Sequence, residues 1–330
     1  MAAASAGPAK GSSASSSTSS SSRDIVIGVV GKPSVGKSTL FNAVTEGKAK
    51  VGNFPFTTIE PNMGVTYYRA PCASVSRGKA HLCRPRYGRL RSEDGMRFIP
   101  VKLLDVAGLV PGASEGAGLG NKFLNDLCGA DVLIHIIDVS GTTNEKGEAT
   151  VGYDPVNDAE WLIGELRAWV LANLWGKWPA TARRHTATKS SVVDTFQSKL
   201  SGYGANRDMI IRTIEVMEKA GNIVRDPCDL AAWNEDHVRR LVDAFLQVRF
   251  PMVLLLNKAD QSGAGESSTS SSSLASDTDR NITKVVEKYE PQGVKCVVGS
   301  AQAELFLKTA KRKGFIDYLE GEADFLSLKD

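Results

Sequence analysis

GVVGKPSVGKST, residues 28–39, joins an apolar run to a segment with helical spacing. It contains the pattern Gly-x4-Gly-Lys-Ser, whose glycines allow backbone N–H groups to curl around phosphate oxygens. The N-terminus of the following helix adds partial positive charge at the same place. In such a loop the lysine reaches the β- and γ-phosphates, and the serine offers its hydroxyl to Mg²⁺. The pattern therefore predicts a nucleotide-binding loop made of Gly31, Lys32, Pro33, Ser34, Val35, Gly36, Lys37, Ser38 and Thr39.

Continuous apolar runs recur along the chain and predict strands that are buried on both faces. A more alternating run at 63–68 predicts an edge strand. Strands that alternate with helices predict an α/β fold with a mainly parallel sheet, covered on both faces. The buried strands are expected at 24–31, 98–106, 130–139 and 250–258, and helices at 37–47 and 120–129.

Residues 141–248 interrupt this rhythm, because helical patterns follow one another there without a strand. We interpret this segment as a helical insertion within an α/β domain made of residues 23–140 and 249–330. We expect the insertion to pack as a unit of its own. Its helical patterns lie at 154–175, 206–221 and 234–248.

Two serine-rich stretches are expected to lack a packed core of their own. Residues 1–22 contain no acidic residue and predict a disordered tail, although a transit peptide to an organelle has a similar composition. Residues 262–278 predict a flexible loop inside the domain. Five cysteines in 330 residues fit a reducing compartment, so we expect a cytoplasmic protein. No apolar run approaches the length of about 20 residues that spans a bilayer, so we expect no membrane partner.

A second motif follows the predicted strand at 98–106. Asp105 ends this strand, where a carboxylate can hold Mg²⁺ directly or through water. Gly108 and the glycines that follow it, up to residue 120, predict a mobile loop that could sense the nucleotide. In Ras-like proteins a glutamine after the glycine orients the attacking water. This chain has Leu109 at that place, and an alkyl side chain can neither donate nor accept a proton.

A third motif, LLLNKAD, follows the predicted strand at 250–258. The carboxylate of Asp260 could accept hydrogen bonds from both N1–H and the 2-amino group of guanine. Adenine lacks both donors, and a site built around such hydrogen bonds rejects the analogue by roughly 10⁴-fold. Asn257 is expected to tie neighbouring loops together, and the stem of Lys258 to cover the base. The motif therefore predicts GTP or GDP as the ligand.

Together these stretches resemble the Obg-family translation-factor GTPases, and within them the YchF-like branch. The resemblance is most specific in NFPFTTIEPN and GLGNKFL, and it extends from residue 25 to the C-terminus apart from the helical segment. The matching stretches are VGKPSVGKSTLFNAVT (30–45), VGNFPFTTIEPNMG (51–64), KLLDVAGLVPGASEGAGLGNKFLNDL (102–127), ADVLIHIIDVSG (130–141), NKAD (257–260) and AELFLKTAKRKGFIDYLEGEADF (303–325).

The resemblance implies a P-loop NTPase of the Ras-like G-domain type, with a helical, partly coiled-coil insertion. It implies that Thr58, with Thr57 as the second choice, senses the γ-phosphate and Mg²⁺, and that Ser300 and Ala301 back the guanine. It also implies a ribosome or RNA partner. Because related GTPases carry a hydrophobic residue at the position of Leu109, slow hydrolysis is expected. The catalytic set is then Lys37, Thr58 and Asp105, and the metal set is Ser38, Thr58 and Asp105.

Three departures from the family pattern matter. Many members of this branch have Glu in place of the final Asp of the base-recognition motif and prefer ATP, so Asp260 favours GTP. Potassium-stimulated relatives have Asn where this chain has Ser34, which leaves potassium dependence open. Family members normally continue into a small TGS domain, which would begin near Asp330, so we expect a fragment or a short form without that domain. The alternatives are an ATPase of the same branch and a nucleotide-dependent RNA- or protein-binding module without significant turnover.

Weaker signals leave alternatives open. Cys72, His81 and Cys83 could bind a metal, but a structural zinc site has four ligands at tighter spacing. The basic segment 177–190 could contact RNA phosphates or remain a solvated loop. His135 lies within an apolar run and is expected to be a core residue. Four tryptophans are expected to fill the helical core, although they could stack on bases; they are Trp161, Trp169, Trp175 and Trp178.

Overall fold

The computed structural model describes residues 25–45, 62–84, 89–90, 95–106, 125–221, 227–261 and 271–327. In this part of the chain a seven-stranded sheet has the order β2–β4–β1–β5–β6–β7, and β3 pairs with β4. The strands are β1 (Val26–Val30), β2 (Asn62–Pro71), β3 (Arg89–Leu90), β4 (Met96–Asp105), β5 (Val132–Asp138), β6 (Met252–Asn257) and β7 (Lys295–Val298). A separate hairpin consists of β8 (Ile316–Tyr318) and β9 (Phe325–Ser327).

Helices connect these strands and cover the sheet. They are α1 (Lys37–Val44), α2 (Val156–Trp175), α3 (Trp178–Thr188), α4 (Val192–Leu200), α5 (Arg207–Lys219), α6 (Glu235–Arg249), α7 (Ser271–Tyr289) and α8 (Ala301–Arg312). The helix predicted at 120–129 is described from residue 125 onward. None of the described helices combines the length and the apolar composition needed to cross a lipid bilayer.

The sheet has the mainly parallel arrangement that the sequence predicts. Strand β1 lies between β4 and β5 and is parallel to both, and β5, β6 and β7 continue the parallel pairing. Strand β2 is antiparallel to β4 and forms the edge, as expected from the alternating run at 63–68. Because the carboxyl ends of parallel strands share one edge of the sheet, the loops after β1 and β6 and the last residue of β4 meet there.

Apolar residues on the two faces of the sheet fill different cores. Val29 and Leu103 pack with Phe41 of α1, whereas their sequence neighbours Val30 and Leu104 pack toward the helical segment. Successive side chains of a strand point to opposite faces, so both must be apolar when both faces are covered. The continuous apolar runs in the sequence therefore arise because helices cover both faces of the sheet.

The helical segment shares its core with the sheet, so the expectation that it packs as a unit of its own is wrong. One buried cluster runs from Val30 and Leu133 of the sheet through Leu166 of α2 to Phe245 of α6. Arg249, which is 3% exposed, joins the two parts further. Its guanidinium donates to the carbonyl oxygens of Ala130 (2.8 Å), Cys128 (2.6 Å) and Tyr203 (2.7 Å). The helical periodicity of the sequence identifies the apolar side of each helix, but not the structural element against which that side packs.

The tryptophans of this segment pack inside the protein, as predicted. Trp178 is 3% exposed, stacks on Trp233 with ring centroids 5.4 Å apart, and donates its indole N–H to the carbonyl oxygen of Leu230. Trp161, Trp169 and Trp175 are partly buried against the same core. Most of the basic segment 177–190 forms α3 rather than a loop. One face of this helix, which includes Trp178 and Ala182, is buried and stabilises it.

Helix α7 begins inside the serine-rich stretch, so the flexible loop predicted at 262–278 is wrong for residues 271–278. Residues 262–270 lie outside the described residues. Thr278 and Val285 are buried, and the Asn281 amide donates to the carbonyl oxygen of Val139 at 3.0 Å. These contacts stabilise a helix that the serine composition alone does not favour, because most helical stability in proteins comes from packing.

Candidate nucleotide-binding site

The loop between β1 and α1 has the backbone geometry of a phosphate-binding loop. Gly31 and Gly36 have φ angles of +149° and +103°, which L-residues with a side chain rarely adopt. A Cβ atom on Gly31 would lie 2.6 Å from the carbonyl oxygen of Ile136, and one on Gly36 would lie 2.4 Å from the amide nitrogen of Asn257. Only glycine fits these two positions. Helix α1 then begins at Lys37, so its free N–H groups face the loop.

Lys37 holds a buried positive charge beside the loop. Its side chain is 8% exposed, and its ammonium donates to the carbonyl oxygen of Lys32 at 2.7 Å. Burial lowers the pKa of Lys37 to about 8, against the opposing attraction of Asp105. A phosphate bound in the loop would place negative charge next to this ammonium and stabilise its protonated form.

Ser38 and Asp105 form an oxygen-rich pair next to Lys37. The Ser38 hydroxyl donates to Oδ2 of Asp105 at 3.0 Å. Asp105 is fully buried, and its Oδ1 has no hydrogen-bond partner among the described residues. Burial raises the pKa of the Asp105 carboxyl, while the hydrogen bond from Ser38 opposes this rise. A buried carboxylate and a hydroxyl at a helix N-terminus are oxygen ligands of the kind that Mg²⁺ prefers.

Asn257 connects the loop after β6 to two other loops. Its amide N–H₂ donates to the carbonyl oxygen of Val35 at 2.6 Å, and its side-chain oxygen accepts from the N–H of Ala301 at 2.8 Å. One side chain therefore holds the phosphate-binding loop, the base-recognition loop (residues 257–260) and the start of α8 at one edge of the sheet.

The other predicted base-site residues lie around Asn257. Lys258 has a left-handed φ of +67°, and its ammonium contacts Oδ2 of the buried Asp138 at 2.7 Å. Asp260 is exposed, so its carboxylate is accessible to a ligand. Ser300 caps α8, since its hydroxyl accepts from the N–H of Ala303 at 3.0 Å, and Ala301 is buried. Thr57, Thr58, Gly108 and Leu109 lie outside the described residues.

A buried polar network beside the phosphate-binding loop was not predicted from the sequence. Lys32, which is 1% exposed, points away from the loop interior. Its ammonium donates to the carbonyl oxygen of Thr143 (2.7 Å), pairs with Asp158 (2.9 Å) and lies 3.9 Å from the centroid of the Tyr153 ring. The Thr143 hydroxyl donates to Asp138, which also accepts from Lys258. The network thus links the phosphate end of the site to its base end.

No local signal in the sequence marks these partners. Asp138 ends an apolar strand and Asp158 lies in the first turn of a helix, and both are common positions for aspartate. His135, by contrast, was expected in the core and is fully buried in β5. Burial lowers its pKa to about 3, so it is neutral at physiological pH.

A parallel sheet with this loop at its carboxyl edge, and an Asn-Lys-x-Asp loop tied to it by Asn257, defines a P-loop GTPase domain. Comparisons with known proteins agree. Residues 26–163 match a family model described as 50S ribosome-binding GTPase, and residues 274–330 match one described as Obg-like GTPase YGR210-like, G4 motif-containing domain. The chain belongs to the Obg-like, YchF-type GTPase family.

Individual relatives share most of the chain. An uncharacterised GTP-binding protein of Schizosaccharomyces pombe is 44% identical over 308 residues, which are 93% of this chain and 69% of that protein. An uncharacterised GTP-binding protein of Methanocaldococcus jannaschii is 38% identical over 301 residues, 91% of this chain and 69% of that one. The crystal structure of a GTP binding protein from Pyrococcus horikoshii has a TM-score of 0.65 at 32% identity, and the match covers 89% of this chain and 70% of that one.

Proposed function

We propose that the protein is a Mg²⁺-dependent GTP switch that hydrolyses GTP slowly and acts at the ribosome. The observation that carries the proposal is the position of Asn257, which joins the phosphate-binding loop to the loop of Asp260. A nucleotide whose phosphates bind the first loop can then present its base to the second.

In this proposal each residue of the site has a separate role. Lys37 supplies positive charge to the β- and γ-phosphates. Ser38 and Asp105, with Thr58, would hold Mg²⁺, and the metal would neutralise charge on the phosphate oxygens. Asp260 accepts hydrogen bonds from guanine, while Ser300 and Ala301 support the base. Phosphoryl transfer depends mainly on such positioning and charge neutralisation, so the site can operate without a catalytic base.

The base preference has a direct test. In Asp260→Asn the amide can donate to the 2-carbonyl of xanthine but can no longer accept two hydrogen bonds from guanine. We expect GTP to bind about 10- to 100-fold more weakly and xanthosine triphosphate to bind more tightly, since a hydrogen bond to a charged group is worth about 1.5–3 kcal/mol. Competition calorimetry with GTP, ATP and xanthosine triphosphate in Mg²⁺ buffer measures both changes.

The matched control is Asp208→Asn, which changes an exposed carboxylate on α5. It should leave all three affinities as they are. Equal affinity of the unmutated protein for ATP and GTP would show that Asp260 does not select guanine, and would favour the ATPase of the same branch.

The role of Leu109 has a kinetic test. Because its side chain offers the attacking water neither a proton nor a lone pair, we expect Leu109→Ala to change single-turnover GTP hydrolysis by less than about tenfold, or 1.4 kcal/mol of barrier. Thr58→Ala should slow hydrolysis more, because it removes a contact to both the metal and the γ-phosphate. A loss of several hundredfold in Leu109→Ala at unchanged GTP affinity would mean that the leucine shapes the transition state.

The same assay tests whether the protein is an enzyme at all. Absence of phosphate release from the wild type would favour a binding module without turnover.

The ribosome proposal is supported by the description of the matched family model. It is tested by co-sedimentation of the protein with large ribosomal subunits in the presence of GDP or a non-hydrolysable GTP analogue. Binding that depends on the nucleotide supports the proposal. Equal sedimentation with both nucleotides, or none with either, contradicts a switch that acts there.

A further inference from the structure

The two cysteines of the segment between β2 and β3 lie side by side, and neither belongs to the residues assigned to the nucleotide site. Cys72 follows the last residue of β2, and Cys83 follows a short 3₁₀ turn at Ala80–Leu82. Their sulfur atoms are 3.4 Å apart. Cys72 is buried, whereas Cys83 is partly exposed.

Backbone hydrogen bonds within the segment hold the two cysteines together, and the N–H of Cys72 also donates to the carbonyl oxygen of Gly95 at 3.1 Å. The N–H groups of Val75 and Ser76 donate to the carbonyl oxygen of Cys72 at 3.0 and 3.1 Å, and Lys79 donates to Ser74 at 2.8 Å. Cys83 then donates to the carbonyl oxygen of Ala80 at 3.0 Å. These successive turns bring Cys83 back beside Cys72, which produces the contact between the two sulfur atoms.

The donor set does not favour a metal. Among the described residues, no group of three or more His, Cys, Asp or Glu side chains is placed to hold one. His81, the third candidate ligand in this segment, is exposed. Two thiols whose sulfurs are 3.4 Å apart can instead be joined by an oxidant that removes two electrons, because an approach of about 1.4 Å brings them to the S–S bond length of about 2 Å.

We propose that Cys72 and Cys83 form a reversible dithiol–disulfide pair whose partner is a low-molecular-weight disulfide of the glutathione type. The partly exposed Cys83 thiolate attacks a sulfur of glutathione disulfide, forming a mixed disulfide and releasing one glutathione thiolate. The Cys72 thiolate then attacks the Cys83 sulfur, forming the internal disulfide and releasing the second glutathione. Two protein thiols lose two protons and two electrons, and one glutathione disulfide becomes two glutathione thiols.

The electrostatic surroundings favour Cys72 as the resolving thiol, whereas the role of Cys83 as the first attacker follows from its exposure. Backbone N–H groups, first that of Val75, and the thiol of Cys83 lower the pKa of Cys72, which increases its thiolate fraction. The contact with Cys72, followed by burial, raises the pKa of Cys83. In the second step the buried sulfur that carries more thiolate character attacks, and the glutathione attached to the exposed sulfur leaves.

The test uses the full chain in glutathione redox buffers, followed by alkylation of free thiols and peptide mass spectrometry. In the wild type we expect a Cys72–Cys83 disulfide to form, while the other three cysteines of the chain, at positions 128, 228 and 296, remain open to alkylation. In Cys72→Ser the resolving thiol is absent, so a glutathione adduct on Cys83 should accumulate. In Cys83→Ser the remaining buried Cys72 should gain little adduct. GTP affinity, measured in parallel, confirms that each variant is folded and separates this test from that of the nucleotide site.

Three results would overturn the proposal. One is a stable glutathione adduct on Cys83 in the wild type, which would mean that Cys72 does not resolve it. Another is a disulfide between two protein molecules in place of the internal one. The third is stoichiometric Zn²⁺ bound by the reduced wild type and lost in both serine variants, which would show that the pair is a metal site.

Discussion

GTP binding by Lys37→Ala should be about 30- to 5,000-fold weaker than binding by the wild type, with the fold retained. Lys37 is buried beside the phosphate-binding loop, and its ammonium spans the loop to the carbonyl oxygen of Lys32. Loss of one partner of a buried charge pair costs about 2–5 kcal/mol or more, which corresponds to that range. Isothermal titration calorimetry with GTP and Mg²⁺ measures the change directly.

The matched control for this substitution is Lys102→Ala, which removes an exposed lysine from β4. It should bind GTP like the wild type. Circular dichroism and thermal unfolding of Lys37→Ala show whether the protein is folded. Unchanged GTP affinity in a folded Lys37→Ala protein would rule out the loop as the phosphate site.

The free energy of unfolding should fall by about 3–5 kcal/mol in Lys32→Met at neutral pH, because the buried Asp158 loses its cation and must either stay charged or take up a proton in the folded state. In the wild type the two side chains are 0% and 2% exposed and 2.9 Å apart. Burial raises the pKa of Asp158 to about 6, although Lys32 opposes this rise. Removal of Lys32 removes that opposition, so the pKa of Asp158 should rise further.

This substitution also makes the stability depend on pH in a defined direction. A carboxyl whose pKa is raised in the folded state binds protons more tightly there, so its contribution to stability is full at low pH. The contribution is lost as the pH rises through about 6 in the wild type, and through a higher pH in Lys32→Met. The difference in unfolding free energy between the two proteins should therefore be larger at about pH 8 than at about pH 5.

Urea unfolding at both pH values measures this difference, and two further variants interpret it. Lys32→Met with Asp158→Leu should recover most of the stability, because an apolar pair of similar volume can replace a buried ion pair. Arg239→Met breaks an exposed pair with Glu235 and should cost no more than about 1 kcal/mol. If the double variant is as unstable as Lys32→Met, the uncompensated charge is not the cause.

Much of the candidate nucleotide site has a local signal in the sequence, because its residues are close together in the chain. Gly31 and Gly36 adopt backbone angles that other residues avoid, so the loop has a signature of a few letters. The Asn-Lys-x-Asp motif is equally local. The strands at the centre of the sheet were also predicted, because burial on both faces demands uninterrupted apolar runs.

Packing between distant elements had no comparable signal. The helical pattern of residues 154–175 showed an apolar stripe, but the same stripe could face a separate helical core or the sheet. The structure shows that it faces both. Likewise, the serine-rich composition at the start of α7 predicted a loop. The structure has a helix there, which contacts of Thr278 and Asn281 with the rest of the protein stabilise.

The sequence by itself determined the α/β class, the phosphate-binding loop and the base-recognition motif, since each depends on backbone geometry or periodicity within a short segment. Tertiary structure alone decided that Lys32 turns from the loop toward Asp158, and that the partners of Asn257 are the carbonyl oxygen of Val35 and the N–H of Ala301. It also decided that Cys72 and Cys83 touch. Such contacts depend on which distant segments the fold brings together. The sequence around an individual Lys, Asp, Asn or Cys does not identify its partner.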